Sequence, residues 1–410
     1  MQRSAVGYGL RARWIRGGVT APRGFRASGV AAGIKRSRKP DLALVVADGP
    51  ASAAAVFTTN RVQAAPVVIS KARVRNGRAQ AILINSGCAN CLTGAAGTRD
   101  ALALGRAVAR ALAVREQDIL LASTGLIGQR LPVARAQRAI TPLVASLSRA
   151  HHMAAAQAIL TTDLRMKEAA VEARIDGRPC RVGGMAKGAG MIAPSMATML
   201  CILATDAAVA PGLLRRLLRQ AVARTFNRIS VDGDMSTNDT VFCLASGRSG
   251  VRIGSGSPSA QVLARMLEAV AGRLARLIVQ DGEGATKVME IRVAGARTER
   301  DAQDCARRVA GSPLVKTMLA GGDPNVGRIA GAVGASGARF DPARLEILIG
   351  PHRVVARGVA IPRAQAAARR WLRRPEVTVR IRLHAGRAEG RMLTCDLTED
   401  YVRLNASYTT

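Results

Sequence analysis

Short apolar runs and alternating apolar positions predict several strands along the chain. Residues 79–85 (AQAILIN) and 118–122 (DILLA) are almost wholly apolar and short, which is typical of buried strands, and the second ends at Ser123-Thr124-Gly125. Apolar residues at every second position of residues 377–383 predict a half-exposed strand near the carboxyl terminus. Two further strands are predicted at residues 198–203 and 344–349.

Longer segments with apolar residues at helical spacing lie between these runs. They predict helices over residues 99–114, 211–228, 259–279 and 364–372. Pro211 is well placed at a first helical position. Because strands and helices are mixed through both halves and no internal repeat is visible, the pattern predicts an α/β or α+β fold with helices packed outside sheets.

Length and charge narrow the class of protein. A chain of 410 residues is long enough for two or three lobes with a large core. The net charge of +33 would by itself suggest a nucleic-acid or anionic-surface partner. The arginines are scattered, however, and aromatic residues, at 2%, are too rare to provide base-stacking platforms. We therefore interpret the charge as solvated basic faces with weak polyanion binding, and expect no specific nucleic acid.

Membrane and metal sites are not expected either. The longest uncharged stretch, residues 188–205, contains Pro194 and is shorter than the ~20 apolar residues of a spanning helix. Seven scattered cysteines argue against a disulfide framework and fit a reducing compartment. Cys88-Ala-Asn-Cys91 is a CxxC motif, but with four histidines and no second ligand pair we interpret both cysteines as small loop residues.

The segment from Lys187 to Leu200 (KGAGMIAPSMATML) carries the strongest chemical signal. A lone lysine, flexible glycines and an uncharged run lead to Ala197-Thr198. A threonine hydroxyl can attack the carbonyl before it, and hydrolysis of the resulting ester would leave Thr198 with a free α-amino group. Such an amine, with a reference pKa near ~7.7, can act as general base for its own hydroxyl.

These residues closely resemble the ornithine acetyltransferase family, the glutamate N-acetyltransferases of arginine biosynthesis. The resemblance begins near Val19 and runs to the last residue. Besides the Lys187 segment it includes Val56-Phe-Thr-Thr-Asn-Arg, Asn85-Ser-Gly, Ser123-Thr-Gly-Leu-Ile-Gly, Thr161-Thr-Asp, Asp232-Gly-Asp-Met-Ser-Thr-Asn-Asp-Thr, Asp281-Gly-Glu-Gly-Ala-Thr-Lys, Gly322-Asp-Pro-Asn and Cys395-Asp-Leu-Thr-Glu-Asp-Tyr-Val-Arg-Leu-Asn. It implies an α/β sandwich of the kind shared with self-cleaving aminopeptidases.

The resemblance also implies the site. Thr198 is the nucleophile, and the Ala197–Thr198 bond is the one that is cut. The Thr124 hydroxyl and the Gly125 N–H match the oxyanion-hole pair, in which one donor is typically worth ~2.7–4 kcal/mol of barrier. The positions that match substrate contacts are Thr161, Lys187, Thr198, Glu283, Asn405 and Thr410.

Without the resemblance, each residue has a plainer interpretation. Thr198 would be a β-branched strand residue, Gly125 a turn glycine, and Glu283 a surface acid. Asp and Asn in the matched motifs are assigned structural roles, since such residues satisfy turns; they are Asn85, Asp232, Asp234, Asn238 and Asp239. Two positions depart from the family pattern, Val326 in place of a tryptophan and Cys88 where asparagine is common, and they bear on substrate preference.

The implied activity is transfer of the acetyl group from N2-acetyl-L-ornithine to L-glutamate through an acetyl-Thr198 ester. Acetyl-CoA as a second donor stays open, and no other cofactor is expected. The chain would divide into an α fragment (19–197) and a β fragment (198–410), assembled as a cytoplasmic α2β2 heterotetramer. Residues 1–18 are basic and are expected to form a disordered extension, with a mitochondrial transit peptide as the second interpretation.

Two alternatives of other classes remain. One is a hydrolase of the same fold, an aminopeptidase or amidase that uses water as the acceptor. The other is a basic binding protein in which the catalytic residues persist without turnover.

Overall fold

The computed structural model describes residues 10–193 and 199–407. Its strands are β1 Ala12–Trp14, β2 Phe25–Val30, β3 Leu42–Phe57, β4 Arg78–Cys88, β5 Ile119–Leu126, β6 Lys167–Ile175, β7 Arg178–Lys187, β8 Leu200–Thr205, β9 Ala208–Val209, β10 Ile229–Ser230, β11 Thr240–Ala245, β12 Arg252–Ile253, β13 Val288–Ala296, β14 Glu346–Ile349, β15 His352–Ala356, β16 Val359–Ala360, β17 Glu376–Arg382 and β18 Ala388–Cys395. Its helices are α1 Ala65–Arg73, α2 Gly94–Leu112, α3 Val133–Arg138, α4 Ile140–Ala145, α5 His152–Ala158, α6 Pro211–Arg224, α7 Pro258–Gln280, α8 Glu299–Ala310, α9 Pro313–Gly321, α10 Val326–Gly334, α11 Pro362–Leu372 and α12 Glu399–Ser407.

The chain forms two compact units that interleave in sequence. The first holds β1–β9, β11 and β12 with α1–α6 and most of α7; the second holds β10, β13–β18 and α8–α12 together with residues 189–193. Strands on both sides of Thr198 therefore belong to the first unit. The bond predicted to be cut does not separate one unit from the other.

The first unit is built on a mixed sheet with the order β1-β6-β7-β8-β11-β3-β4-β5, in which β2 also pairs with β3. β3 and β4 are antiparallel, whereas β4 and β5, and also β8 and β11, are parallel. The end of β5 thus lies beside the end of β4.

Apolar side chains of the central strands point to both faces of this sheet, and each face packs into an apolar core. Leu42 and Leu44 pack into one apolar core and Ala43 and Val45 into another, because successive side chains of a strand point to opposite faces. α2 and α4 contribute to the first core and α5 to the second. Helices outside a sheet were predicted, and this unit confirms the prediction.

The second unit has a sheet ordered β10-β18-β13-β17-β14-β15-β16. Ile291 and Val293 of β13 pack with α8 and α11 in its core. The intervening Arg292 is exposed. One face of this sheet is therefore covered by helices, and the other carries charged side chains.

Most predicted elements are present, with shifted ends. The predicted strands at 79–85 and 118–122 lie within or largely within β4 and β5, and the predicted helices at 99–114 and 259–279 correspond to α2 and α7. The helix predicted to reach residue 228 ends at Arg224, because Thr225 leaves helical geometry and its hydroxyl donates to the Ala221 carbonyl at 2.7 Å.

Two expectations were wrong. β5 does not end before Ser123-Thr124-Gly125 but continues through these residues to Leu126, since β4 offers them pairing partners. Residues 12–14 of the predicted disordered extension form β1, which pairs antiparallel with β6. None of the described helices is long and apolar enough to cross a membrane.

Candidate active site

The predicted site residues that the structure describes lie in four places. Thr124 and Gly125 lie near the end of β5, Lys187 is the last residue of β7, and Thr161 follows α5 in a loop. Glu283 and Asn405 belong to the second unit. Ala197, Thr198 and Thr410 lie outside the described residues.

Position 125 requires a glycine, both because of its backbone conformation and because of its close neighbours. Its φ of +127° is a backbone conformation that residues with a side chain rarely adopt. A Cβ at this position would lie 2.4 Å from the Gly87 carbonyl carbon and 2.6 Å from the Cys88 nitrogen. The pairing of β4 and β5 shifts register at this point. Such an irregularity re-aims backbone and side-chain groups at the end of a strand.

Hydrogen bonds of buried side chains fix Ser123, the residue before Thr124. The Ser123 hydroxyl donates to Asn85 Oδ1 at 2.5 Å, and Asn85 Nδ2 donates to the Cys88 carbonyl at 2.8 Å. Asn238 Nδ2 donates to the carbonyl of Ser123 at 2.8 Å. Thr124 itself is 5% exposed, and no hydrogen bond of its hydroxyl is found within the described part of the chain. Thr124 is thus positioned by the hydrogen bonds that its neighbour Ser123 makes with Asn85 and Asn238.

Asp239 holds the residue that follows Thr198. Its Oδ1 accepts the backbone N–H of Met199 at 2.9 Å, and its Oδ2 is buried without a partner among residues 10–193 and 199–407. Burial raises the pKa of this carboxyl well above its usual range, against the opposing effects of the Met199 N–H and of Lys187. Asn238 and Asp239, adjacent in sequence, thus bind β5 and Met199 respectively.

A buried ion cluster holds Lys187. Asp163 Oδ1 accepts from Lys167 Nζ at 2.7 Å and from the Gly188 N–H at 2.6 Å, and Lys187 Nζ lies 3.7 Å from Asp163 Oδ2. The N–H of Thr161 donates to the same Oδ2 at 3.0 Å. Burial alone would raise the pKa of Asp163, but the two ammonium groups outweigh it and hold that pKa well below its usual range.

The strand register relates Lys187 to the predicted cleavage point. Lys187 is paired with Leu200 in the antiparallel β7–β8 ladder. Leu200 is two residues beyond Thr198 in the sequence. The chain therefore returns beside Lys187 immediately after the proposed nucleophile.

Lys35 was missed by the sequence analysis. Its stem lies over Gly87, where a Cβ would come 2.9 Å from Lys35 Cγ, and Gly87 is the register partner of Gly125. Burial lowers the pKa of Lys35 to about 8; Asp41 opposes this shift and Lys187 adds to it. The sequence analysis also missed Asp163, although this residue lies within the matched Thr161-Thr-Asp motif. No comparable motif contains Lys35, which lies only within the region of general family resemblance.

In the second unit, Glu283 and Asn405 are brought together. Asn405 Nδ2 on α12 donates to Glu283 Oε2 at 2.9 Å. The Glu283 carboxylate lies over Gly190, where a Cβ would approach it to 2.4 Å. The Glu283 N–H donates to the Ala189 carbonyl at 2.9 Å. The glycine thus makes room for the carboxylate, which Asn405 binds, while the backbone N–H of Glu283 is bound by Ala189.

The remaining motif residues fit structural roles. Asp232 accepts the N–H groups of Met191 and Ile192 at 2.5 and 2.8 Å. Cys88 is the buried last residue of β4 and not a loop residue, and Cys91 is buried and free as well. Val326 is the first residue of α10, which the Asn325 side chain caps. No group of three or more metal-binding side chains is found in the described ranges.

These features define a layered α/β protein with a polar site at the ends of neighbouring strands. The sequence model of the ArgJ family matches residues 26–410. The chain is 46% identical over 407 residues to the arginine biosynthesis bifunctional protein ArgJ of Synechocystis (97% of this chain, 98% of the relative). It is 48% identical over 400 residues to that of Symbiobacterium thermophilum (97% and 100%).

Among solved structures, ornithine acetyltransferase from Mycobacterium tuberculosis in complex with ornithine is 45% identical, over 45% of this chain and 98% of that chain, with a TM-score of 0.42. The near full-length identity to bacterial relatives and the family match agree. The chain belongs to the ArgJ family.

Proposed function

We propose that this chain is an acyltransferase of arginine biosynthesis that moves the acetyl group of N2-acetylornithine to glutamate. Its relatives are arginine biosynthesis bifunctional proteins, and one solved relative is an ornithine acetyltransferase with ornithine bound. Thr198 is the nucleophile, freed when the precursor cuts its own Ala197–Thr198 bond.

One observation carries the proposal: the neighbouring residues Asn238 and Asp239 bind the chain next to Thr124 and next to Thr198. Asn238 binds the Ser123 carbonyl, next to the proposed oxyanion pair, and Asp239 binds the N–H of Met199, next to Thr198. Adjacent residues of one loop thus tie the end of β5 to the start of the β8 segment. Catalytic groups on different strands need this kind of fixed spacing.

The chemistry follows from these positions. The Thr198 hydroxyl attacks the acetyl carbonyl, and its proton passes to the Thr198 amine. Thr124 and Gly125 stabilise the oxyanion. The carbon–nitrogen bond breaks, the α-nitrogen of ornithine takes up the proton and leaves, and an acetyl ester stays on Thr198. The amine of glutamate then attacks this ester and restores the hydroxyl.

Charged groups suit the two amino-acid substrates. Lys187, held by Asp163, is a cation for a substrate carboxylate. Glu283, oriented by Asn405, is an anion for the δ-ammonium of ornithine. The backbone N–H of Thr161 donates to the Asp163 carboxylate, with which Lys187 also interacts. Thr410 completes the proposed set.

We also propose that the two fragments stay together as α2β2 in the cytoplasm. β7 lies before the cleavage point and β8 after it, and they pair over residues 182–187 and 200–205. Cleavage would therefore leave a sheet shared by both fragments. The seven cysteines are buried and free, which fits a reducing compartment. Acetyl-CoA as a second donor is part of the proposal to be tested.

The first test is the intact mass of the purified protein under denaturing conditions. We expect two fragments that separate between Ala197 and Thr198. The Thr198→Ala variant should stay as one chain. Thr317→Ala, at an exposed position of α9, is the matched control and should be cut like the wild type. A wild-type chain that remains whole would contradict the mechanism.

The second test is the release of ornithine from N2-acetylornithine with and without glutamate. Release that requires glutamate and yields N-acetylglutamate supports the transferase. Release at the same rate in water alone would favour the hydrolase alternative, and no release would favour the binding protein. Glu283→Gln should raise KM for N2-acetylornithine more than KM for glutamate, whereas Glu299→Gln on the exposed side of α8 should change neither.

A further inference from the structure

Three arginines lie side by side on the open face of the second sheet. Arg292 of β13 is paired with Arg380 in the parallel ladder to β17 and with Arg391 in the antiparallel ladder to β18. Paired residues of adjacent strands share a face. All three are exposed, and their neighbours Ile291 and Val293 point into the core. With ~4.8 Å between strands, the row spans about 10 Å.

Such a row is unfavourable by itself. Like charges directly opposite one another destabilise a sheet. Arg292 forms an ion pair with Glu290 at 2.8 Å and also interacts with the charge of Glu389, and Arg380 donates to the Gly350 carbonyl at 2.9 Å. These contacts leave the three guanidinium groups on the same face, so an anion placed over the row would interact with all three.

The row forms the floor of a cavity. This cavity has a volume of about 430 Å³, within the usual range of small-ligand sites. Its charged lining residues are Arg228, Glu290, Arg292, Arg380, Arg382, Glu389 and Arg391. The lining carries five arginines and two glutamates, and Arg382 pairs with Glu346 outside the lining at 3.5 Å, so positive charge is still in excess.

We propose that this cavity, with the three arginines as its floor, binds a compact polyanion that carries a chain of phosphate groups. Guanidinium groups bind phosphate oxygens in a bidentate manner, and three of them in line match several phosphates in line. The described lining contains no aromatic side chain, so nothing there would stack on bases as a single-stranded nucleic acid requires. The site lies in the second unit and does not depend on the proposed acyl transfer.

Calorimetric titration of the full-length protein with sodium tripolyphosphate tests the proposal. We expect binding by the wild type that weakens as salt is added, and affinity about tenfold lower or worse in Arg292→Gln and in Arg380→Gln, because each loses charge-assisted hydrogen bonds. Arg300→Gln is the matched control, since its side chain is 90% exposed on α8 in the same unit; it should bind like the wild type.

Thermal unfolding separates loss of the site from loss of the fold. Without ligand, Arg292→Gln should melt no lower than the wild type at low salt, because it removes a repelling charge. Tripolyphosphate should raise the Tm of the wild type and of Arg300→Gln but not that of Arg292→Gln. If Arg292→Gln unfolds early, Arg292→Lys keeps the charge without the fork and should bind with intermediate affinity.

Coenzyme A, which carries its phosphates on a nucleotide, distinguishes the sources of the ligand. Tighter binding of coenzyme A than of tripolyphosphate, lost in Arg292→Gln, would support the site and point to a nucleotide carrier; the reverse order would support it with a free polyphosphate. No heat and no Tm shift with either compound would overturn the proposal. Equal binding of tripolyphosphate by Arg292→Gln, Arg380→Gln and Arg300→Gln would also overturn it. So would binding of a single-stranded oligonucleotide to the protein that tripolyphosphate cannot displace.

Discussion

The carboxyl group of Asp239 accepts the backbone N–H of Met199 at 2.9 Å, and its other oxygen is buried with no partner in the described ranges. Because Met199 follows Thr198, this bond fixes the carboxyl side of the proposed nucleophile. Burial raises the pKa of Asp239 well above its usual range, which favours the neutral carboxyl. An asparagine side chain resembles that form in shape and charge.

Replacement of Asp239 should therefore separate positioning from proton transfer. We expect Asp239→Asn to cut itself nearly as fast as the wild type, since its carbonyl still accepts from Met199. Asp239→Ala leaves that N–H unpaired, at a cost of ~1–3 kcal/mol, and should slow processing about tenfold. The time course of cleavage by intact mass measures both; an asparagine variant as slow as the alanine variant would show that the proton itself is used.

Substitution of Gly125 tests the crowded end of β5. Gly125→Ala places a Cβ against the backbone of Gly87 and Cys88 at a positive φ, so we expect a loss of ~2–5 kcal/mol in the free energy of unfolding. Gly128→Ala is the control, because Gly128 also has a positive φ, +83°, but open space around its Cβ. Its loss should be near ~1 kcal/mol. Urea unfolding of both variants decides; similar midpoints would contradict the close-approach argument.

Asp163 should contribute more to stability than an exposed acid. Asp163→Asn leaves the ammonium of Lys167, 1% exposed, without its carboxylate, and the removal of one partner of a buried pair costs ~3–5 kcal/mol. Asp48→Asn breaks a pair with Arg26 whose side chains are 44% and 42% exposed, and should cost less than ~1 kcal/mol. Equal effects in urea unfolding would mean that the cluster is not energetically distinct.

The pH dependence of stability gives a second measure of Asp163. Its pKa is lower in the folded than in the unfolded chain, so the folded state binds fewer protons. The stabilisation is fully present above the unfolded pKa of ~3.9 and is lost as the pH falls below it. The free energy of unfolding of the wild type should fall more steeply between about pH 5 and pH 2 than that of Asp163→Asn. Parallel curves would contradict this expectation.

Lys35 should titrate far below an ordinary lysine. Burial, with a smaller contribution from Lys187, lowers its pKa to about 8, against ~10.4 in an unfolded chain. The unfolded chain binds more protons between these values, so this residue makes stability rise with pH across that window. Competitive amine labelling followed by peptide mass spectrometry should place its midpoint near 8. Lys187→Met should move the midpoint upward; an unmoved midpoint would show that the two ammonium groups do not interact.

Local sequence was sufficient for much of this protein. The short apolar run at residues 79–85 and the helical spacing of apolar residues along residues 259–279 predicted β4 and α7, because the length and period of an apolar segment indicate how it is buried. The presence of Gly125 also indicated an unusual backbone conformation at that position. The end of β5 was not, since pairing partners on β4 extend it past Thr124.

What the sequence by itself determined is the set of chemical groups: a threonine nucleophile candidate, an isolated lysine, a glycine that alone fits its turn, and membership in a family with a defined chemistry. Only the tertiary structure decided which groups meet. Asn238 reaches a carbonyl 115 residues away, Asp163 takes two lysines from different strands, and Arg292 stands between two other arginines. Strand register and chain crossovers create these contacts, and neither is encoded in the period of a single segment.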